Sequence, residues 1–186
     1  MKVINLHQKE NQTIQLAVEG NRQAQQKIYS QFSPKMLSVC RQYIKDIHQA
    51  EDVMITAFMK VFVNLKNFEQ KGSFEGWIRR IMVNECISFI RVQKKVKYLD
   101  DEVYFEENFN PIESQFSVEN IQFLIDGLPD GYKMVFNLYA IEGYKHHEIA
   151  SMLGINEGTS KSQLSHARKM LQQQINTFKK HNNGTE

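Results

Sequence analysis

The sequence predicts an all-α protein of two small helical domains joined by an acidic linker, the second domain carrying a helix-turn-helix. Three observations point there. Apolar residues recur at three- and four-residue spacing wherever they cluster, as in helices with one buried face. Only three prolines and nine glycines occur in 186 residues, in a composition full of Gln, Lys, Glu, Leu, Ile, Met and Phe. Such a composition favours helix throughout. The stretch from Tyr98 to Ser117, YLDDEVYFEENFNPIESQFS, then loses the periodicity to clustered acids and Pro111, which marks an extended tether. The expected boundaries are residues 1–97, the linker 98–117, residues 118–178, and a disordered tail 179–186.

Thr13 to about Gly20 reads as a short first helix. Asn21 is placed to cap a second through Ile28, Phe32, Met36, Leu37, Cys40 and Ile44, with Pro34 predicting a kink or break near Ser33. Asp46 caps a third helix whose stripe is Val53, Ala57, Phe58, Val61, Phe62 and Leu65. The loop Asn67–Ser73 follows, then a helix from Phe74 to about Lys95 with Trp77, Ile78, Ile81, Met82, Cys86, Ile87, Phe89 and Ile90 as its apolar positions. In the second domain Val118–Asp126 is helical, and Gly127, Pro129 and Gly131 break it. Tyr132–Ile141 resumes with Met134, Val135, Leu138 and Ile141 inward, and Glu142–Gly143 turns the chain into its last two helices.

Lys145–Gln172 has the clearest mechanical meaning. Ile149, Ala150 and Leu153 share one face, and Gly154 follows where a left-handed residue ends a helix without steric cost. Ile155 plugs the angle between the helices. Asn156 caps the next helix, and Glu157 sits where its dipole favours negative charge. Ser160, Leu164, Ala167, Leu171 and Ile175 recur at four, three, four and four as an inner seam. At about 100° per residue, Thr159, Ser162, His166, Lys169 and Gln173 then face the other way. That face has no carboxylate after its first turn and suits a DNA major groove, although a helical hairpin in a larger bundle would show a solvated polar face as well.

The net charge of +2 conceals a contrast. From Lys71 to Lys97 seven Lys and Arg stand against Glu75 and Glu85, a local +5, while Tyr98 to Asn120 holds seven acids and no base. Phosphates respond to local charge. Arg79, Arg80, Asn84, Arg91 and Lys94, interleaved with aromatics beside a loop holding Phe68 and Lys71, suit unstacked single-stranded bases or form a solvated basic face over Trp77. The acidic run serves solubility or mimics a nucleic-acid strand in a positive channel.

Other chemistries fit poorly. His146 and His147 are adjacent and point about 100° apart, so they cannot share one metal. His147 and Glu148 have no further Cys, His or Asp at ligand spacing on the next turn, and Glu51-Asp52 is the one acid/base pair the sequence suggests. No nucleophile–base arrangement or phosphate-binding glycine loop appears. No catalytic residue, metal or cofactor is expected. Cys40 and Cys86 lie in apolar helical surroundings without a CxxC and read as buried reduced thiols. MKVINLHQKENQ lacks a signal-peptide core, and no apolar run approaches membrane-spanning length, so a cytoplasmic protein without membrane insertion is expected.

In this order the pieces resemble the extracytoplasmic-function (ECF) group of bacterial RNA polymerase sigma factors, over about residues 13 to 176. AEDVMITAFMKVFVNLKNF, Ala50–Phe68, is similar to the family helix that docks on the clamp helices of core RNA polymerase. The resemblance implies that Glu51, Asp52, Ile55, Thr56 and Met59 make that contact, with Ile55 and Thr56 standing where the family usually has Gln and an acid. GSFEGWIRRIMVNECISFIR, Gly72–Arg91, looks like the minus-ten and promoter-melting segment. It implies that Phe68, Lys71, Ser73 and Phe74 lie near a loop capturing a flipped base, that Trp77, Arg80 and Asn84 line the strand's path, and that Arg91 and Lys94 meet upstream phosphates. Leu128–Leu171 resembles the domain that reads the minus-thirty-five element as duplex. There Glu157, Thr159, Lys161, Ser162, Gln163, Ser165, His166 and Lys169 take the DNA-facing positions, and many members carry Arg where Gln163 and His166 stand. The family further implies promoter DNA and core polymerase as partners, regulation by an anti-sigma factor, and a linker threaded through the polymerase's RNA exit region. A helix-turn-helix regulator that never enters the polymerase is the alternative. It leaves the Gly72–Lys95 block without a task.

Overall fold

A computed structural model describes residues 2–97 and 118–182, with side chains described for 9–93 and 121–177. The linker 98–117 and residues 183–186 of the expected tail lie outside the described residues, as does the side chain of Lys94. Among the described residues there are eight α-helices and no strand. The chain divides into two compact units, Met1–Lys95 and Val96–Glu186.

The first unit is built from α1 (Lys2–Val18), α2 (Arg22–Tyr43), α3 (Ile47–Asn64), a 3₁₀ turn (Leu65–Asn67) and α4 (Phe74–Lys97). The caps fall as the sequence predicts. Asn21 Oδ1 accepts from the Ala24 N–H at 3.0 Å, and Asp46 Oδ1 from the Gln49 N–H at 2.8 Å. α1 is longer than expected, because no Pro or Gly interrupts residues 2–18 and helix extends wherever nothing stops it. Pro34 does not break α2. Both Pro34 and Ser30, whose carbonyl loses its helical partner, lie on the exposed side of α2, where the loss costs least.

The core of this unit is Phe32, Met36 and Cys40 from α2, Val53, Ala57, Phe58 and Val61 from α3, and Phe74, Ile78, Met82 and Cys86 from α4. Each large side chain among them contributes roughly 1.5–3 kcal/mol of burial. Lys35–Glu75 at 2.5 Å and the Lys60–Glu85 pair lie over this core between α4 and its neighbours. Cys40 and Cys86 are free, buried and adjacent. The Cys40 hydrogen bond and then burial push the Cys86 thiol well above its usual range, so it stays protonated.

The second unit contains α5 (Val118–Asp126), α6 (Asp130–Phe136), a π turn (Asn137–Ile141), α7 (His146–Leu153) and α8 (Glu157–Asn182). Leu124, Ile125 and Leu128 pack against Ala167 and Leu171 of α8, with Tyr132, Phe136, Met170 and Ile175 around them. Met134, Val135 and Leu138 are buried as expected, but Ile141 is exposed. The π turn shifts the register after Asn137 and rotates Ile141 out of the inward series. The tail expectation also changes. α8 runs on through Lys179 and Lys180 to Asn182, since no breaker precedes Asn183 and cations suit a helix C-terminus.

Candidate nucleic-acid and polymerase interfaces

On α3 the core stripe leaves an outer ridge. Asp52, Ile55, Thr56 and Met59 are all exposed, with Ile55 at 49% and Met59 at 66%. Val63 continues the ridge one turn on and is 74% exposed. Glu51 is half-buried at its edge, 3.7 Å from His48. Three apolar side chains at four-residue spacing in solvent form a face suited to another protein.

After α3 the chain makes a compact loop. Gln70 has φ 55° and Gly72 φ 88°, so two left-handed residues flank Lys71, and that conformation is costly for a side chain such as Gln. Lys71 is exposed and pairs with Glu69 at 2.7 Å. Ser73 starts α4, its Oγ accepting from the Gly76 N–H at 3.3 Å. Phe74 is 3% exposed. Its ring meets Phe32 at 5.6 Å, Phe68 at 5.0 Å and Trp77 at 5.9 Å, and Phe68 meets Trp77 at 5.5 Å. Phe68 and Trp77 are half-buried, so an aromatic shelf rests on a buried Phe74. Beyond it Trp77, Arg80, Asn84 and Arg91 fall within about 60° of one another around the helix. Arg80, Asn84 and Arg91 are exposed.

In the second unit Glu148 Oε2 accepts from the Lys145 N–H at 2.8 Å to open α7. Gly154 closes it at φ 67°, and the Ile155 N–H returns to the Ala150 carbonyl at 3.1 Å, a Schellman ending. Asn156 Oδ1 then accepts from both the N–H and the hydroxyl of Thr159, at 2.7 and 2.9 Å. The two helices are tied where they cross, with His146 Nδ1 2.9 Å from the hydroxyl of the buried Ser160. Tyr139, on the π turn, stacks on His146 at 4.7 Å, and the Arg168 guanidinium lies 5.5 Å from the Tyr139 ring centre. Ser160, Leu164, Ala167 and Leu171 are buried, while Ser162, Ser165, His166 and Lys169 are exposed. Lys161 pairs with Glu157 at 2.7 Å, and its hydrogen bond holds that exposed carboxyl below its ordinary range.

This pairing of a basic, aromatic-shelved helix with a separate helix-turn-helix recurs in known proteins. The family model for sigma-70 region 2 matches residues 28–96, and that for sigma-70 region 4 matches 119–171. The ECF RNA polymerase sigma factor SigW of Bacillus subtilis is 30% identical over 171 residues, covering 84% of this chain and 91% of SigW. The chain belongs to the ECF sigma factors. It is thus a transcription initiation factor. The sigma-E factor of Escherichia coli is 26% identical over 184 residues, 89% of this chain and 96% of its own. The same fold is seen in the Bartonella quintana sigma factor RpoE, solved in complex with the anti-sigma factor NepR. Its TM-score is 0.55 at 21% identity, covering 81% of this chain and 96% of RpoE.

Within this sigma-factor fold, the sequence-derived site residues sort by exposure. Phe74 lies beside the loop as expected, but its ring is buried among Phe32, Phe68 and Trp77 and forms part of the core between α2 and α4. Thr159 is half-buried with its hydroxyl committed to Asn156, and Gln163 is half-buried too. Sequence reasoning missed Val63, although its four-residue step from Met59 opposite the core stripe was available. The approach of Arg168 to Tyr139 depends on the π turn and has no local signal in the sequence.

Proposed function

We propose that the two units divide promoter recognition between them. The outer face of α8, with Lys161, Ser162, Gln163, Ser165, His166 and Lys169 and the capped first turn at Glu157 and Thr159, reads the minus-thirty-five element as duplex in the major groove. The α4 face of Trp77, Arg80, Asn84 and Arg91 carries the melted non-template strand of the minus-ten element, and Lys94 joins it on the sequence resemblance alone. Phe68, Lys71 and Ser73 form the adjoining loop, and Phe74 supports the shelf from beneath. Flipping a base costs a few kcal/mol, which stacking of roughly 1–3 kcal/mol per base offsets. The α3 ridge of Glu51, Asp52, Ile55, Thr56, Met59 and Val63 docks on core RNA polymerase.

Residues 1–97 thus bind polymerase and open DNA, 118–178 hold duplex, and the acidic linker 98–117 runs between them as a strand mimic in a positive channel. The protein performs no chemistry and needs no metal or cofactor. It works in the cytoplasm and answers to an anti-sigma factor, by analogy with RpoE and its partner NepR. The observation that carries this reading is the α8 face, whose exposed residues from Ser162 to Lys169 include no carboxylate beside a buried apolar seam.

The test is run-off transcription from a genomic promoter library with purified core polymerase, with and without this protein, coupled to permanganate probing of melted thymines. Specific transcripts and reactive thymines only in its presence are expected. Duplex binding without initiation would instead establish a regulator acting outside the polymerase.

A further inference from the structure

Two of the proposed base-reading side chains on α8 are not free to choose their conformation. A Cβ built on Gly131 would stand 3.2 Å from Gln163 Nε2 and 3.6 Å from both Cδ and Oε1, so the Gln163 carboxamide lies flat over that glycine. Gly131 has no left-handed φ to explain it. It sits in the first turn of α6, where its right-handed backbone would also suit alanine. Its neighbour Tyr132 stacks on His166, with ring centres 5.5 Å apart and planes 16° from parallel. Tyr132 itself packs on the core of Leu124, Ile125, Leu128, Ala167 and Leu171, so the platform beneath His166 is fixed.

We infer that Gly131 and Tyr132 of α6 are positioning residues that set promoter specificity through α8: the bare backbone at Gly131 gives Gln163 a seat that draws its carboxamide back from the groove, and the Tyr132 ring holds the exposed His166 imidazole in one reading pose. Gln163 on its seat discriminates weakly, and His166 on its platform discriminates strongly. An added methyl at Gly131 meets the far end of a flexible side chain rather than backbone, so the Gln163 carboxamide must give by a few tenths of an ångström and loses its close seat while the fold is kept. The inference rests on the proposal that α8 reads duplex, and its test separates the two.

Holoenzyme reconstituted with core polymerase would be offered competing promoter fragments varied at each minus-thirty-five base pair, at one salt concentration. Gly131→Ala should sharpen preference for adenine at one position by roughly fivefold, the lower end of a single base-pair discrimination. The gain should vanish in Gly131→Ala/Gln163→Ala. Tyr132→Ala should flatten preference at the position that His166→Ala also flattens, and Tyr132→Phe, which keeps the ring, should restore it. A Gly131→Ala effect that survives without Gln163, or unchanged preference in Tyr132→Ala while His166→Ala alters it, overturns the inference and leaves α8 as the reader. Unchanged preference in His166→Ala and in the other α8 surface variants overturns the reading beneath it as well.

Discussion

In the first unit three residues beside the proposed strand path, Phe68, Phe74 and Trp77, pack on one another, and Phe74 packs on Phe32 of α2. In the second unit Ser162, Ser165 and Lys169 stand in solvent on a helix whose opposite side forms the core. A melted base needs a broad apolar wall, and such a wall on a small domain is necessarily an outcrop of its hydrophobic interior. Base edges in duplex need donors and acceptors projecting from a rigid rod, and a helix supplies these on the side its core does not use. DNA opening and folding stability should therefore be coupled in the first unit and nearly independent in the second.

The largest effect expected from that contrast is in Phe74→Ala, which removes a buried ring and should destabilise the first unit by about 3–5 kcal/mol. Trp77, the single tryptophan, stacks on Phe74 and reports the loss as an earlier denaturant transition in its fluorescence. A fully stable variant that fails to melt promoter DNA would break the coupling and assign Phe74 a role in opening apart from its part in the core. Next comes Lys161→Ala combined with Lys169→Ala. Each phosphate deprived of its cation should lower the slope of log affinity against log salt by about 0.9, while the unfolding midpoint falls only by the small contribution of the Lys161–Glu157 pair. An unchanged slope would remove both lysines from the interface.

Asn156→Ala sharpens the comparison from the other side, because it loosens the first turn of α8 at Thr159 and leaves the reading side chains from Ser162 to Lys169 in place. Loss of both bonds to Thr159 should cost about 1 kcal/mol and speed amide exchange in the first turn of α8. Base preferences should be retained. The smallest effect is expected for Glu157→Gln, which frees the Lys161 ammonium for phosphate and should steepen the salt dependence slightly. Lys161 lowers the Glu157 pKa in the folded protein, so the pair's small contribution is complete above the unfolded carboxyl pKa and fades as pH falls through the lowered one. Wild type and variant should differ at neutral pH and converge in acid, as paired melting curves would reveal.

Local chemistry was enough for the helix-turn-helix. Gly154, Asn156 and the Ser160–Leu164–Ala167–Leu171 seam act within a few residues of themselves, so the sequence alone announced the turn, the cap and the outward face. The caps at Asn21 and Asp46, the buried thiols and the α3 stripe were legible for the same reason. Helix lengths at Lys2–Val18 and through Asn182 were understated, because the absence of a breaker is a weaker signal than its presence.

What tertiary structure alone decided was which members of a motif touch solvent and which touch one another. Phe74 looks like its aromatic neighbours in sequence, yet the approach of α2 through Phe32 makes it core and leaves Phe68 and Trp77 as the shelf. Gln163 and His166 look like free readers until α6 brings Gly131 and Tyr132 against them from about thirty residues away along the chain. Periodicity assigns a side chain to a face, but only packing between distant segments determines whether that face is free, and no local pattern encodes that distance.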